Sequence, residues 1–283
     1  MRLKFVKLYE YFDQVQPSGG TGTLMCYLQD TPQSLMPRRR PAVLIIPGGG
    51  YNHVSQREAE PVALRFLARG YQAFVLDYSV SPIQFPVQLQ EAAMAMAYIR
   101  QNAGDMEVDP AMVAAIGFSA GGHLCGTLGT MYDCPEVAHI GSAALLRPDA
   151  LGLCYPVAVS WGPTHEGSFQ CLCGEDPALR QRVSLDRLAR PDMPPVYLWH
   201  TFDDGTVPCR NSLVLAQALE AAGVKIALRL YLHGRHGLST ADEQAYAMSD
   251  VPQISPDIPL WPEEMMGFFR ELGLKIRDVE ESV

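Results

Sequence analysis

Short runs of aliphatic and β-branched residues recur along the chain. Between them lie longer stretches whose apolar positions return every three or four residues. The runs Pro41–Ile46, Ala73–Tyr78, Met112–Ile116, Leu153–Val159 and Pro195–His200 are too short for stable helices, and they predict buried strands. Ile226–Leu232 alternates apolar and polar residues and predicts another. Residues 3–12 and 21–30 predict two strands joined by the turn Gln16-Pro17-Ser18-Gly19-Gly20, as an antiparallel edge hairpin. Helical spacing predicts helices over Glu58–Arg69, stopped by Gly70, and over Gln88–Asn102. Two more are predicted over Asn211–Ala222, ended by Gly223, and over Pro262–Leu272. Residues 161–193 are loop-rich, with a short helical piece near 177–190, and form a candidate small cap. Strands alternating with helices predict an α/β fold: a mostly parallel eight-stranded sheet with helices on both faces.

Several of these strands run directly into segments that carry chemistry. Met112–Ile116 leads into Gly117-Phe118-Ser119-Ala120-Gly121-Gly122-His123, followed by helix-compatible residues. A serine at a sharp strand-to-helix turn is backbone-strained, and glycines two before and two after it leave room for neighbouring chain. Such a turn presents the Ser119 hydroxyl at the sheet edge with the helix N-terminus aimed at the reacting oxygen, making Ser119 the candidate nucleophile. The strand at 41–46 runs into Pro47-Gly48-Gly49-Gly50-Tyr51. Consecutive glycines after a buried strand let backbone N–H groups face an incoming oxygen. The candidate oxyanion donors are therefore Ala120 together with Gly49, Gly50 or Tyr51. Downstream, Asp203 and Asp204 follow the strand at 195–200, and His233 and His236 follow the strand at 226–232. The order Ser, Asp, His, each just after a strand, is that of the α/β-hydrolase arrangement rather than of chymotrypsin or subtilisin.

Composition excludes some partners. At 283 residues and 48% hydrophobic content, the chain is long enough to bury a sizeable core as one α/β domain over 1–283. A net charge of −9 argues against nucleic acid or an anionic membrane as partner. Arg38-Arg39-Arg40 reads as a solvated loop before the first buried strand. The N-terminal residues lack the apolar stretch of a secretory signal and no window approaches a membrane span, so a cytoplasmic location is expected. The seven scattered cysteines are then expected to be reduced thiols. Cys171-Leu172-Cys173 lacks zinc-site spacing and no His-Glu-x-x-His occurs, so no metal is expected.

The chain resembles the α/β-hydrolase superfamily, and within it a bacterial group related to carbohydrate esterases, which includes acetylxylan and bifunctional acetyl/feruloyl esterases. The resemblance runs through most of the chain. It is carried by Pro47–Tyr51, by Ser55, Arg57, Glu58 and Glu60-Pro61-Val62-Ala63, and by Gly117–Leu124. His165, Gly167 and Ser168, then Trp199-His200-Thr201, Asp204 with Val207-Pro208, and Gly234 with His236–Ser239 complete it. The resemblance implies hydrolysis of short-chain esters, often acetyl groups on sugars, without a cofactor. The partner would be a small-molecule ester such as an acetylated oligosaccharide. It favours His236 over His233 as the base, and Asp204 over Asp203 as the orienting carboxylate. Pro47 departs from the histidine of the related His-Gly-Gly-Gly esterases, which removes a side chain there but leaves the backbone donors.

Other polar residues have plainer readings. His123, one turn after Ser119, reads as a packing histidine. Glu58 and Glu60 read as acids favoured at a helix N-terminus, not as the paired carboxylates of glycoside cleavage. Tyr51, Trp161 and His165 fall on loops after strands, where ligands gather in open α/β sheets, and are candidate substrate-binding walls. Two other functions fit the same fold. One is an amidase, formamidase or small peptidase; the other is a silent binding protein, against which the intact Ser, Asp and His set argues.

Overall fold

The computed structural model describes residues 1–246 and 254–279. In chain order it runs β1 (Arg2–Lys7), α1 (Leu8–Tyr11), β2 (Thr23–Leu28), β3 (Arg38–Ile46), α2 (Glu60–Leu67), β4 (Gln72–Asp77) and α3 (Val87–Gln101). Then come β5 (Val108–Phe118), α4 (Ser119–Met131), α5 (Ala143–Leu146), β6 (Leu151–Cys154), α6 (Glu166–Cys173), α7 (Pro177–Arg182) and α8 (Leu185–Leu188). The described chain ends with β7 (Val196–Thr201), α9 (Arg210–Ala221), β8 (Ile226–Tyr231), α10 (Trp261–Glu271) and β9 (Arg277–Asp278).

The sheet has the order β1-β2-β4-β3-β5-β6-β7-β8, with β1 and β2 antiparallel and the pairs from β4 to β8 parallel. A ninth, two-residue strand, β9, pairs with the start of β3 and was not expected from sequence. Helices cover both faces, and the strand runs read as continuously apolar because each face has its own core. In β3, Leu44 and Ile46 pack into the core shared with α3 and α4, whereas Val43 and Ile45 pack into the core shared with α2 and α10. No helix among the described residues is long and apolar enough to cross a membrane. None of the seven cysteines is in a disulfide.

Four local expectations are corrected. The segment 3–12 is not one strand: it turns after Lys7 into the single-turn α1, although β1 and β2 do pair antiparallel. Arg38–Arg40 is not a solvated loop but the start of β3, where Arg40 is buried beside Glu107 at 3.7 Å and Arg38 reaches Asp278 at 3.1 Å. The run at 153–159 is strand only as far as Cys154, because Tyr155 turns with a φ of 38° into the segment behind Ser119. Residues 161–193 hold three short helices, α6, α7 and α8, where one helical piece was expected.

Candidate active site

β5 ends at Phe118 and α4 begins at Ser119, whose φ of 53° lies in the left-handed region that a non-glycine residue enters only under constraint. The Ser119 carbonyl accepts from the Val157 N–H at 3.0 Å, fixing the turn from behind. Gly121 shows why the elbow needs glycine. A Cβ there would sit 2.2 Å from the carbonyl oxygens of Ile46 and Pro47, so the end of β3 passes directly across the first turn of α4. This crossing brings the loop at 47–51 alongside Ser119.

Ser119 Oγ stands 2.8 Å from His236 Nε2, and His236 Nδ1 stands 2.6 Å from Asp204 Oδ2. The Nδ1–H donates to the carboxylate, which leaves Nε2 to accept from the serine hydroxyl. Asp204 is fully enclosed: its Oδ1 accepts from the N–H groups of Thr206 and Val207 at 2.9 Å each, and His200 Nε2 lies 3.2 Å from its Oδ2. His200 is itself set by Ser212 and the Val207 carbonyl. The competing residues pair with each other instead. His233 Nδ1 meets Asp203 Oδ2 at 2.7 Å, and both side chains are at least half exposed. Ser119, His236 and Asp204 thus stand in one hydrogen-bonded row, an arrangement in which an imidazole can take up a hydroxyl proton.

Burial alone raises the Asp204 carboxyl, but hydrogen bonds from His200 and His236 outweigh it and hold the group well below the usual carboxylate range. A depressed folded-state value means that the unfolded chain binds the proton more tightly. Asp204 therefore contributes stability above the unfolded carboxylate value of ~3.9 and loses it as pH falls below that. Asp204→Asn is expected to show a shallower fall in Tm than wild type between about pH 5 and pH 3. Parallel curves in a thermal scan would contradict this account of the site's electrostatics.

The loop opposite is held by groups that sequence reading placed elsewhere. Gly49 has a φ of 120°, and a Cβ on it would meet the His53 carbonyl oxygen at 2.0 Å, so only glycine closes this turn. Glu58 is not an acid of the α2 N-terminus as expected. A 3₁₀ turn over Gln56–Glu58 precedes α2 and points Glu58 inward, where Oε2 accepts from the Gly48 N–H at 2.8 Å. Its Oε1 accepts from the Tyr155 hydroxyl at 2.7 Å; that hydroxyl accepts in turn from the Ser239 N–H, and the Tyr155 ring packs on His236. One buried carboxylate thus ties the glycine loop to the histidine loop. Ala120 N–H heads α4 among the first-turn donors that no intrahelical carbonyl reaches.

A cavity of about 470 Å³ opens onto Ser119 and His236, and Gly49, Gly50, His53, Arg57 and His165 help to line it. Of the three side chains expected on its wall, His165 is there, braced by Ser168 at 2.8 Å. Burial and the neighbouring His236 push its imidazole down from the ordinary histidine value. Tyr51 and Trp161 are not on that wall. The Tyr51 ring is buried and its hydroxyl donates to His123 Nδ1 at 2.7 Å, while Trp161 donates its indole N–H to Asp186 and lies under Arg210. His123 is a packing residue, bonded also to the Val183 carbonyl and pushed down to about 4 by burial, so it is neutral at pH 7.

Residues 31–141 match the BD-FAE family. The endo-1,4-beta-xylanase B of Butyrivibrio fibrisolvens is 34% identical over 220 residues, which cover 74% of this chain and 34% of that protein. The acetylxylan esterase of Xylanibacter ruminicola is 27% identical over 226 residues, covering 77% of this chain and 44% of that one. The chain spans a third to a little under half the length of these two relatives. Among solved structures, an acetyl ester-xyloside bifunctional hydrolase from Caldicellulosiruptor lactoaceticus matches with a TM-score of 0.81 and 32% identity, over 96% of this chain and 97% of that chain.

Proposed function

This chain belongs to the esterase-like α/β hydrolases of the carbohydrate-esterase type, and on that premise we propose that it is a serine carboxylesterase that removes short acyl groups, acetyl above all, from carbohydrate. The observation that carries the reading is the continuous row from Ser119 Oγ through His236 to Asp204 at the floor of an open cavity.

In this reaction Ser119 Oγ attacks the ester carbonyl as its proton passes to His236 Nε2, and Asp204 stabilises the imidazolium. The oxyanion is received by the Ala120 N–H and by N–H groups of the 49–51 loop. Collapse breaks the bond to the alcohol, which leaves with the proton from His236. Water, activated by the same imidazole, then releases the acid and restores Ser119.

The choice of a short acyl group and a sugar rests on the cavity wall and the relatives. Asn52, His53, Ser55 and Thr206 offer polar atoms for hydroxyl groups. These are hydrogen-bond partners that a sugar can use and a long acyl chain cannot. The names of two matched proteins, an acetylxylan esterase and an acetyl ester-xyloside hydrolase, support the same choice. We therefore expect 4-nitrophenyl acetate to exceed the octanoate by at least about tenfold in kcat/KM. Acetate release from acetylated oligosaccharides should accompany it. Rates that climb steadily from acetate through butyrate to octanoate would refute the sugar-esterase reading.

A further inference from the structure

The cavity wall carries a cation that the proposed chemistry does not use. Arg57 lines the cavity together with His236 and Gly237. The one carboxylate among the described lining residues, Glu58, has both oxygens engaged by Gly48 and Tyr155. Arg57 rests on an aromatic ring rather than on an acid. Its guanidinium carbon is 5.2 Å from the centroid of Tyr246, and that of Arg235 is 5.0 Å from the same centroid. Asp242, one of two acids in the same turn as Tyr246, pairs with Arg65 instead. Among the described residues, no carboxylate pairs with either guanidinium. Two like charges at one ring repel, and an incoming anion removes that repulsion. In a chain with a net charge of −9, a cation on the cavity wall with a second one at the same ring is against the general trend of its surface.

The pair is also tied to the reacting loop. The Tyr246 hydroxyl donates to the Gly237 carbonyl at 2.5 Å, and the Arg57 carbonyl accepts from the Ser239 hydroxyl. Arg57 Nη2 lies 3.7 Å from where a Cβ on Gly237 would sit. His236, the residue before Gly237, returns its proton to the departing alcohol in the reaction above. The guanidinium of Arg57 thus borders the loop of the histidine from which the alcohol would receive its proton.

We propose that Arg57, with Arg235 beside it, forms a carboxylate-binding subsite, and that the preferred ester carries an anionic group on its alcohol portion. An acetylated oligosaccharide bearing a uronic acid has that chemistry. The planar guanidinium binds a carboxylate through two parallel N–H donors, which fixes the orientation of the alcohol as well as its charge. The proposal rests on the esterase reading.

4-Acetoxybenzoate and its methyl ester share the acetyl group and differ by one charge. That charge also alters the leaving phenol, so the quantity to read is the ratio of their kcat/KM values in wild type and in R57Q. R57Q is expected to lower the carboxylate-to-methyl-ester ratio by at least about tenfold, chiefly through KM. Equal losses on both esters, or a rise in the ratio, would overturn the subsite. S119A turning over both esters like wild type would overturn the esterase reading instead, so the two failures are distinct. Should R57Q fail to fold, wild type reads the same property. 4-Hydroxybenzoate is expected to inhibit competitively at about a tenth of the concentration that methyl 4-hydroxybenzoate requires, and equal potency would overturn the proposal.

Discussion

His236→Ala is expected to lower kcat for 4-nitrophenyl acetate by roughly 10⁴- to 10⁶-fold, while His233→Ala retains most of the activity. The two histidines lie three residues apart after the same strand, yet their surroundings differ in kind. His236 is largely covered, bonded on one side to a fully enclosed carboxylate and on the other to the Ser119 hydroxyl. His233 is more than half exposed and bonded to an equally solvated Asp203. An exposed polar contact of that sort is worth ~0–1 kcal/mol, so its loss should leave fold and rate nearly intact. The loss at His236 is large because the serine then has no acceptor for its proton and the leaving alcohol no donor. Steady-state kinetics of both variants decide the point, and an inactive His233→Ala beside an active His236→Ala would reverse the assignment.

How far the sequence carries this account depends on the range of the interactions involved. The parallel strands, the elbow and the glycine loop are written in local pattern: aliphatic runs, glycines at fixed offsets, and a serine between them. They are legible because each is decided within a few residues. Arg38–Arg40 was misread because its strand character comes from Glu107 and from β9, at the far end of the described chain. Glu58 was misread for the same reason. Its partners are a backbone N–H ten residues away and a tyrosine 97 residues away, and nothing near Glu58 announces that it will be buried. The choice between Asp203 and Asp204 is intermediate. Neighbouring side chains diverge, and the chain closes its turn onto Asp204 through the N–H groups of Thr206 and Val207. Tyr51 shows the limit of reading loops: its position after β3 is as expected, but its hydroxyl is drawn inward by the buried His123. Nor did the sequence signal the role of His200, four residues before Asp204 and packed against the same carboxylate.

The central claim is that Ser119 is the group that becomes acylated. The strained turn, the 2.8 Å contact with His236 and the nearby backbone donors all bear on this one oxygen. Alanine in its place removes the nucleophile while sparing the carbonyl that holds Val157 and the glycines that hold the crossing. Ser119→Ala should therefore fold normally and lose roughly 10⁴- to 10⁶-fold in kcat. The most direct measurement is to mix wild type and Ser119→Ala with 4-nitrophenyl acetate, quench during the first turnover, and locate any acetyl group by peptide mass spectrometry. The account predicts one acetyl group on the wild-type peptide that contains Ser119, and none there in the variant. An acetyl group found instead on another cavity residue such as Cys171, or a variant rate within about tenfold of wild type, would contradict it.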